Sequence, residues 1–155
     1  MSETEPATLP PAWFKHAFWR VHRLLHRISG GRFLWTPESK RGWGAMGLTT
    51  VGRRTGRPRT VVVGYIEDGS DVVVLAMNGW DEGQPSWWLN LEANPDAEIR
   101  LPGKETLRVR ARRAVGEERE RLWARWLEID AENDEFAGRR EVETPVVIFE
   151  PRPEA

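Results

Sequence analysis

The chain has 155 residues, 39% apolar and 30% charged, the balance of one soluble globular domain rather than a disordered or membrane-embedded chain. It contains no cysteine, which excludes thiol catalysis, disulfides, Cys-rich zinc sites and iron–sulfur clusters and fits a reducing, cytoplasmic setting. The net charge of −1 conceals an asymmetry: residues 1–60 hold 11 basic and 3 acidic residues, a balance of +8, whereas residues 61–155 hold 12 and 21, a balance of −9. A basic segment of that size calls for an anionic partner.

Residues 1–11 carry Pro6, Pro10 and Pro11 without periodicity and read as a flexible leader; residues 12–155 read as a single domain. From Ala12 to Ser29, Phe14, Phe18, Val21, Leu25 and Ile28 fall at helical spacing, and the opposite face carries Lys15, Arg20, Arg23 and Arg27. This predicts a basic amphipathic helix stopped by Gly30 and Gly31. Packing over a sheet with the basic face in water is a commoner outcome for such a helix than lying on anionic lipid. No apolar run approaches the roughly 20 residues that span a bilayer, and the polar N-terminus lacks signal-peptide order.

Residues 46–51 and 59–66 read as strands from their β-branched content, with GRRTGRPR between them. Asp68-Gly69 marks a hairpin turn into a strand ending near Met77. A polar loop, 78–84, precedes a short helix, SWWLNLEAN, that Pro85 opens from the first-turn position. Residues 97–101 form a strand, and in TLRVRAR the side chains of Leu107, Val109 and Ala111 alternate with three arginines, predicting a half-buried strand. One long helix is expected over 117–133, with Leu122, Trp123, Trp126 and Leu127 on its apolar face, and Thr144–Glu150 supplies a sixth strand. Strands in hairpin order without βαβ alternation predict an α+β fold: a six-stranded antiparallel barrel with the N-terminal amphipathic helix and two further helices.

The loop Gly52–Thr60 has the composition of a phosphate cradle. Its glycines permit tight turns whose backbone amides converge, and Arg53, Arg54, Arg57 and Arg59 add charge. It matches neither GxxxxGK[ST] nor a GxGxxG opening a helix, and a solvated hairpin tip accounts for the same residues equally well. A second constellation joins Asn78-Gly79-Trp80 to Ser86-Trp87-Trp88-Leu89-Asn90. Trp87 and Trp88 project about 100° apart on a helix, so one can reach the core while the other walls a cavity for a flat ring. Other chemistry is sparse. His22 and His26 are four apart without an acidic third ligand nearby, so no metal site is assigned. Glu117-Glu118 and the acidic run 130–135 read as helix-end charge, no GxSxG elbow occurs, and no acid–base residue is assigned. Any reactivity then belongs to a bound cofactor.

LTTVGRRTGRPRT, DGSDVVVLAMNGW, PSWWLNLEANPDAEI and TPVVIFEP occur in this order, and together they resemble the deazaflavin-dependent nitroreductase family over about residues 47–151. The resemblance implies a split β-barrel of the FMN-binding type that carries coenzyme F420, an anionic phosphodiester-linked deazaflavin with a polyglutamate tail. It implies that Arg53, Arg54, Thr55 and Arg59 grip the phosphate and tail. Thr60, Val61, Val62, Val63 and Gly64, with the strand end Leu75, Ala76, Met77 and Asn78, would run along the deazaflavin; Ser86, Trp87, Trp88, Leu89 and Asn90 would cover it. The implied reaction is hydride transfer from the reduced coenzyme to an electron-poor acceptor such as a quinone or nitro compound.

Two departures bear on mechanism. Family members often carry S-K-G-G where this chain has Met77-Asn78-Gly79-Trp80, and tyrosines of the acceptor pocket are replaced by Asp130, Asn133 and Phe136. Asn133 and Phe136 are the acceptor-side candidates. FMN in the same barrel, or a ligand carrier without turnover, stand as alternatives. Nucleic acid ranks last because the acidic second half repels a long polyanion and no reader motif occurs. A homodimer is compatible with the resemblance.

Overall fold

Six apolar runs become strands: β1 (Gly44–Val51), β2 (Pro58–Asp68), β3 (Asp71–Leu75), β4 (Asp96–Arg100), β5 (Thr106–Arg113) and β6 (Val146–Pro151). They are joined by α1 (Ser86–Ala93), α2 (Gly116–Ile129) and α3 (Glu132–Gly138). The computed structural model describes residues 34–37 and 42–153. The expected leader at 1–11 and the basic helix at 12–29, with all three histidines, lie outside the described residues.

The strands close into a barrel in the order β1-β2-β3-β6-β5-β4, every neighbour antiparallel. Two three-stranded meanders, β1–β3 and β4–β6, join edge to edge, so no strand is left with an open row of backbone donors and acceptors. The β2 strand is long enough to serve two partners, pairing with β1 through Tyr65 and with β3 from Ile66 onward.

The interior is filled by alternate side chains of all six strands, among them Met46, Leu48, Val63, Tyr65, Ile99, Val109 and Phe149. Trp88 and Leu91 of α1 pack against the same cluster. A second core lies outside the barrel wall, where Ile66, Val73, Leu75, Val146 and Ile148 meet Leu122 and Trp126 of α2. The β3 and β6 strands are therefore buried on both faces, which explains why VVVL and VVIF read as unbroken apolar runs instead of alternating ones.

Several boundaries differ from the sequence expectation for identifiable reasons. The helix expected over 117–133 stops at Ile129, because Asp130 leaves helical geometry (φ −150°, ψ 105°) and its Oδ1 accepts the Glu132 N–H at 3.0 Å. A further helix, α3, then starts, and Asn133 Nδ2 ties it back by donating to the Trp126 carbonyl at 3.1 Å. Pro85 stands just before α1 as its cap residue, its carbonyl accepting the Trp88 and Leu89 amides. Leu107, expected inward with Val109 and Ala111, is exposed near the start of β5. Among the described residues no helix is long and apolar enough to cross a membrane.

Candidate functional site

The site begins where β1 turns into β2. Arg53, Arg54, Thr55, Arg57 and Arg59 are all exposed on this turn. Its amides, however, are largely consumed by the fold: Gly52 N–H donates to Arg57 O at 2.8 Å, Gly56 N–H to Gly52 O at 2.8 Å, and Arg57 N–H to Thr55 Oγ1 at 3.2 Å. The Arg53 amide donates to Asn90 Oδ1 at 3.1 Å. The converging backbone amides expected from the sequence are thus not what the loop offers an anion; its offer is side-chain charge. Arg54, Arg57 and Arg59 form no ion pair among the described residues.

Asn90, expected to cover a ring, instead joins this loop to the barrel. It is buried, accepts from Arg53 through Oδ1, and donates to Thr50 Oγ1 at 3.0 Å. Arg53 also reaches the Ser86 carbonyl at 3.5 Å, which brings the basic turn against the first turn of α1.

On the other side of that helix start lies a cavity of about 430 Å³. Val61, Val62, Val63 and Gly64 of β2, with Val74 and Leu75 of β3, form its sheet wall. Met77, the turn Asn78-Gly79-Trp80, Asp81, Pro85 and Trp87 form its rim, and Trp126, Ile129, Asp130 and Asn133 close it from the helical side. Trp43, just ahead of β1, completes the lining. Four tryptophans and a run of valines make a surface for a flat, poorly hydrated ring. Among the described residues the lining contains Asp81 and Asp130 and no basic side chain, while the arginines cluster on the loop.

Of the residues expected along a ring, Val61, Val62, Val63, Gly64, Leu75, Met77, Asn78 and Trp87 line this cavity. Thr60 lies outside the lining, its hydroxyl 2.9 Å from that of Thr49. Ala76 is buried behind the wall, with its carbonyl 3.4 Å from Arg140 Nη1. Trp88 belongs to the barrel core while Trp87 faces the cavity, the division of labour their 100° separation allows. Ser86 and Leu89 do not line it. Of the acceptor-side candidates, Asn133 is a lining residue and Phe136 sits behind the rim, 6.1 Å from the Trp80 ring. Sequence reasoning missed Trp43 and Trp126 as walls; the chain's nine tryptophans were the one available signal.

The rim is held in an uncommon conformation. Asn78, Gly79 and Trp80 have φ of +53°, +63° and +65°. Asn tolerates the left-handed region; for Trp it costs of order 1 kcal/mol and persists only where surrounding contacts fix it. Asn78 Nδ2 donates to Glu82 O at 3.0 Å, and Arg140, buried beneath the rim, donates to Gly83 O and to Thr144 Oγ1 at 2.8 Å. Burial lowers the pKa of Arg140 from its ordinary value, with Glu82 opposing the shift, and the guanidinium remains charged. The Trp126 indole N–H is also buried, without a partner among the described residues.

Residues 26–151 match the family described as F420H(2)-dependent quinone reductase. The chain belongs to that family. An F420H(2)-dependent quinone reductase of Mycobacterium tuberculosis is 38% identical over 82 residues, 53% of this chain and 48% of the relative; the match thus spans about half of the curated relative's length. A solved F420-H2 dependent reductase is 31% identical, with a TM-score of 0.62, covering 68% of this chain and 93% of its own. Another solved structure, described as a domain-swapped dimer, is 27% identical with a TM-score of 0.65, covering 90% of this chain and 100% of its own.

Proposed function

We propose that residues 12–155 form one domain that binds reduced coenzyme F420 and transfers its hydride to a quinone, with nitro compounds as further acceptors. The observation that carries this reading is the continuity of β2: the strand leaves the arginine turn at Pro58 and becomes the cavity wall at Val61, about 10 Å further on at 3.3 Å per residue. An elongated ligand with an anionic end and a flat conjugated end fits that arrangement. Arg53, Arg54 and Arg59, with the Thr55 hydroxyl, would hold the phosphate and tail; Val61–Gly64, Met77, Asn78 and Trp87 would bracket the ring.

When bound, the reduced coenzyme supplies the hydride. The chain would contribute binding and alignment: the valine wall and Trp87 would keep water from the ring, and the fixed rim would limit where an acceptor enters. Positioning of two reactants in contact is itself worth several orders of magnitude in rate. The reading also includes a cytoplasmic setting, consistent with the absence of cysteine, and a homodimer, which the domain-swapped neighbour supports.

The test is oxidation of reduced F420, followed by the return of the oxidised-coenzyme absorbance, with a naphthoquinone and a nitroaromatic as acceptors. Saturable turnover with the quinone is expected. Coenzyme that is neither bound nor oxidised under any acceptor overturns the reading.

A further inference from the structure

Trp43 and Gly64 make a close approach at one end of the cavity. An ideal Cβ placed on Gly64 would lie 3.1 Å from Cε3 and 3.3 Å from Cζ3 of the Trp43 indole, tighter than nine in ten real Cβ contacts. The indole edge therefore rests against bare β2 backbone, and both residues line the cavity. The Trp43 ring is supported from behind by Trp35, whose ring stands 5.0 Å away at 70° and whose Nε1 donates to the Trp43 carbonyl at 3.2 Å. Trp35 is in turn bridged to Ala45, the residue opposite Gly64 in the β1–β2 register.

This end of the cavity is remote from the arginine turn. Gly64 lies five residues beyond Arg59, about 16 Å along an extended strand. Gly42, next to Trp43, lies beside Ile129, since a Cβ on it would be 3.7 Å from Ile129 Cγ1, so Trp43 stands near the C-terminal end of α2, where Ile129 and Asp130 line the cavity. A coenzyme anchored at the arginines with its ring along Val61–Gly64 leaves the side of the cavity lined by Trp43, Ile129 and Asp130 to the second reactant.

We infer that Trp43 is the aromatic wall of the acceptor subsite, that Gly64 sets the width of the slot in front of it, and that the subsite takes a flat, uncharged conjugated ring of the quinone type. The inference rests on the proposed function. An indole supplies offset or edge contact to a conjugated ring, and the Asp130 carboxylate in the same lining disfavours an anionic one. A Cβ at position 64 requires the Trp43 indole to shift by a few tenths of an ångström and so alters the slot that the ring borders.

The experiment uses menadione, an uncharged naphthoquinone, with the full chain and its Trp43→Leu, Trp43→Phe and Gly64→Ala variants. Menadione binding is measured by equilibrium dialysis with and without oxidised F420, F420 binding is measured separately, and the menadione KM is obtained from turnover. Thermal melts accompany each variant, so that binding is compared between folded proteins. Trp43→Leu is expected to raise the menadione Kd and KM about 3- to 10-fold while the F420 Kd changes less than about twofold, and Trp43→Phe retains most of the affinity; Gly64→Ala, whose residue also borders the coenzyme ring, is read by its menadione Kd alone, which is expected to rise by a similar factor. Unchanged menadione binding in Trp43→Leu and Gly64→Ala, with F420 bound and menadione reduced, overturns the wall alone, as does a Trp43→Leu variant whose F420 Kd rises in parallel with that of menadione. Trp43-dependent menadione binding by a protein that does not bind F420 sinks the functional reading and leaves the wall standing.

Discussion

Arg53 and Asn90 are joined twice through one atom: the Arg53 main-chain amide and its guanidinium Nη1 both donate to Asn90 Oδ1, at 3.1 and 3.0 Å. Asn90 is buried in α1 and passes the connection to Thr50 of β1 through Nδ2. A loop of exposed arginines is thus fixed in place by a neutral side chain inside the fold. Asn90→Ala leaves the Arg53 amide and the Thr50 hydroxyl without this partner, and a destabilisation of about 1–3 kcal/mol is expected in denaturant unfolding. Coenzyme affinity should fall too, because Arg53 would no longer be held toward the ligand.

Arg54 and Arg59 have no such internal role. Arg54→Ala and Arg59→Ala should leave stability within about 0.5 kcal/mol of the parent chain. Both should weaken F420 binding, and the difference from the parent should shrink as salt is raised, since exposed charges are screened over about 8–10 Å at physiological ionic strength. Binding isotherms at two salt concentrations check this.

The adjacent tryptophans should separate stability from binding. Trp88 is 6% exposed in the barrel cluster, and Trp88→Ala should cost about 3–5 kcal/mol. Trp87 lines the cavity, so Trp87→Ala should cost less stability and weaken ring binding more. Parallel melts and F420 titrations of the two variants decide it.

Acid sensitivity should centre on the hairpin facing α2. The hydrogen bond from Arg121, at 2.8 and 2.9 Å, holds the Asp68 carboxyl below its usual pKa, and Arg112 does the same for Glu118. A depressed folded-state pKa contributes stability that is present above the unfolded value, near pH 4, and lost as pH falls through the folded value. Asp71 runs the other way: burial, with Glu150 adding repulsion, raises its pKa, so its charge disfavours the fold at neutral pH. Asp68→Asn is therefore expected to lower Tm at pH 7 and flatten its acid-side decline, while Asp71→Asn should raise Tm at pH 7. Thermal melts from pH 3 to pH 7 provide the measurement.

Much of the fold was readable because its signals are local. The β-branched runs, the Asp68-Gly69 turn and Pro85 each act within a few residues, and each marks an element close to where it occurs. The break at Asp130 was only partly readable: the acidic run 130–135 suggests a helix end, but the exact stop and the restart as α3 depend on the bonds that Asp130 Oδ1 accepts from the Glu132 amide and that Asn133 donates to the Trp126 carbonyl. In the cavity wall, Val61–Gly64 came from the family resemblance, and the angle between Trp87 and Trp88 gave the split between core and cavity without saying which residue takes which side. Asn90 looked like a ring-covering residue and became a clamp, since its partners, Thr50 and Arg53, lie 40 and 37 residues away. Trp43 and Trp126 reach the cavity through tertiary packing that no local pattern encodes.

The central claim is that the arginine turn and the tryptophan-lined cavity form one coenzyme site. The direct measurement is a titration of the protein with oxidised F420, followed by tryptophan fluorescence, with FMN in parallel. Saturable quenching by F420 at micromolar concentration, weakened in the Arg53→Ala plus Arg59→Ala double variant and stronger than any response to FMN, is the expected result. Quenching by FMN alone, or by neither ligand, contradicts it.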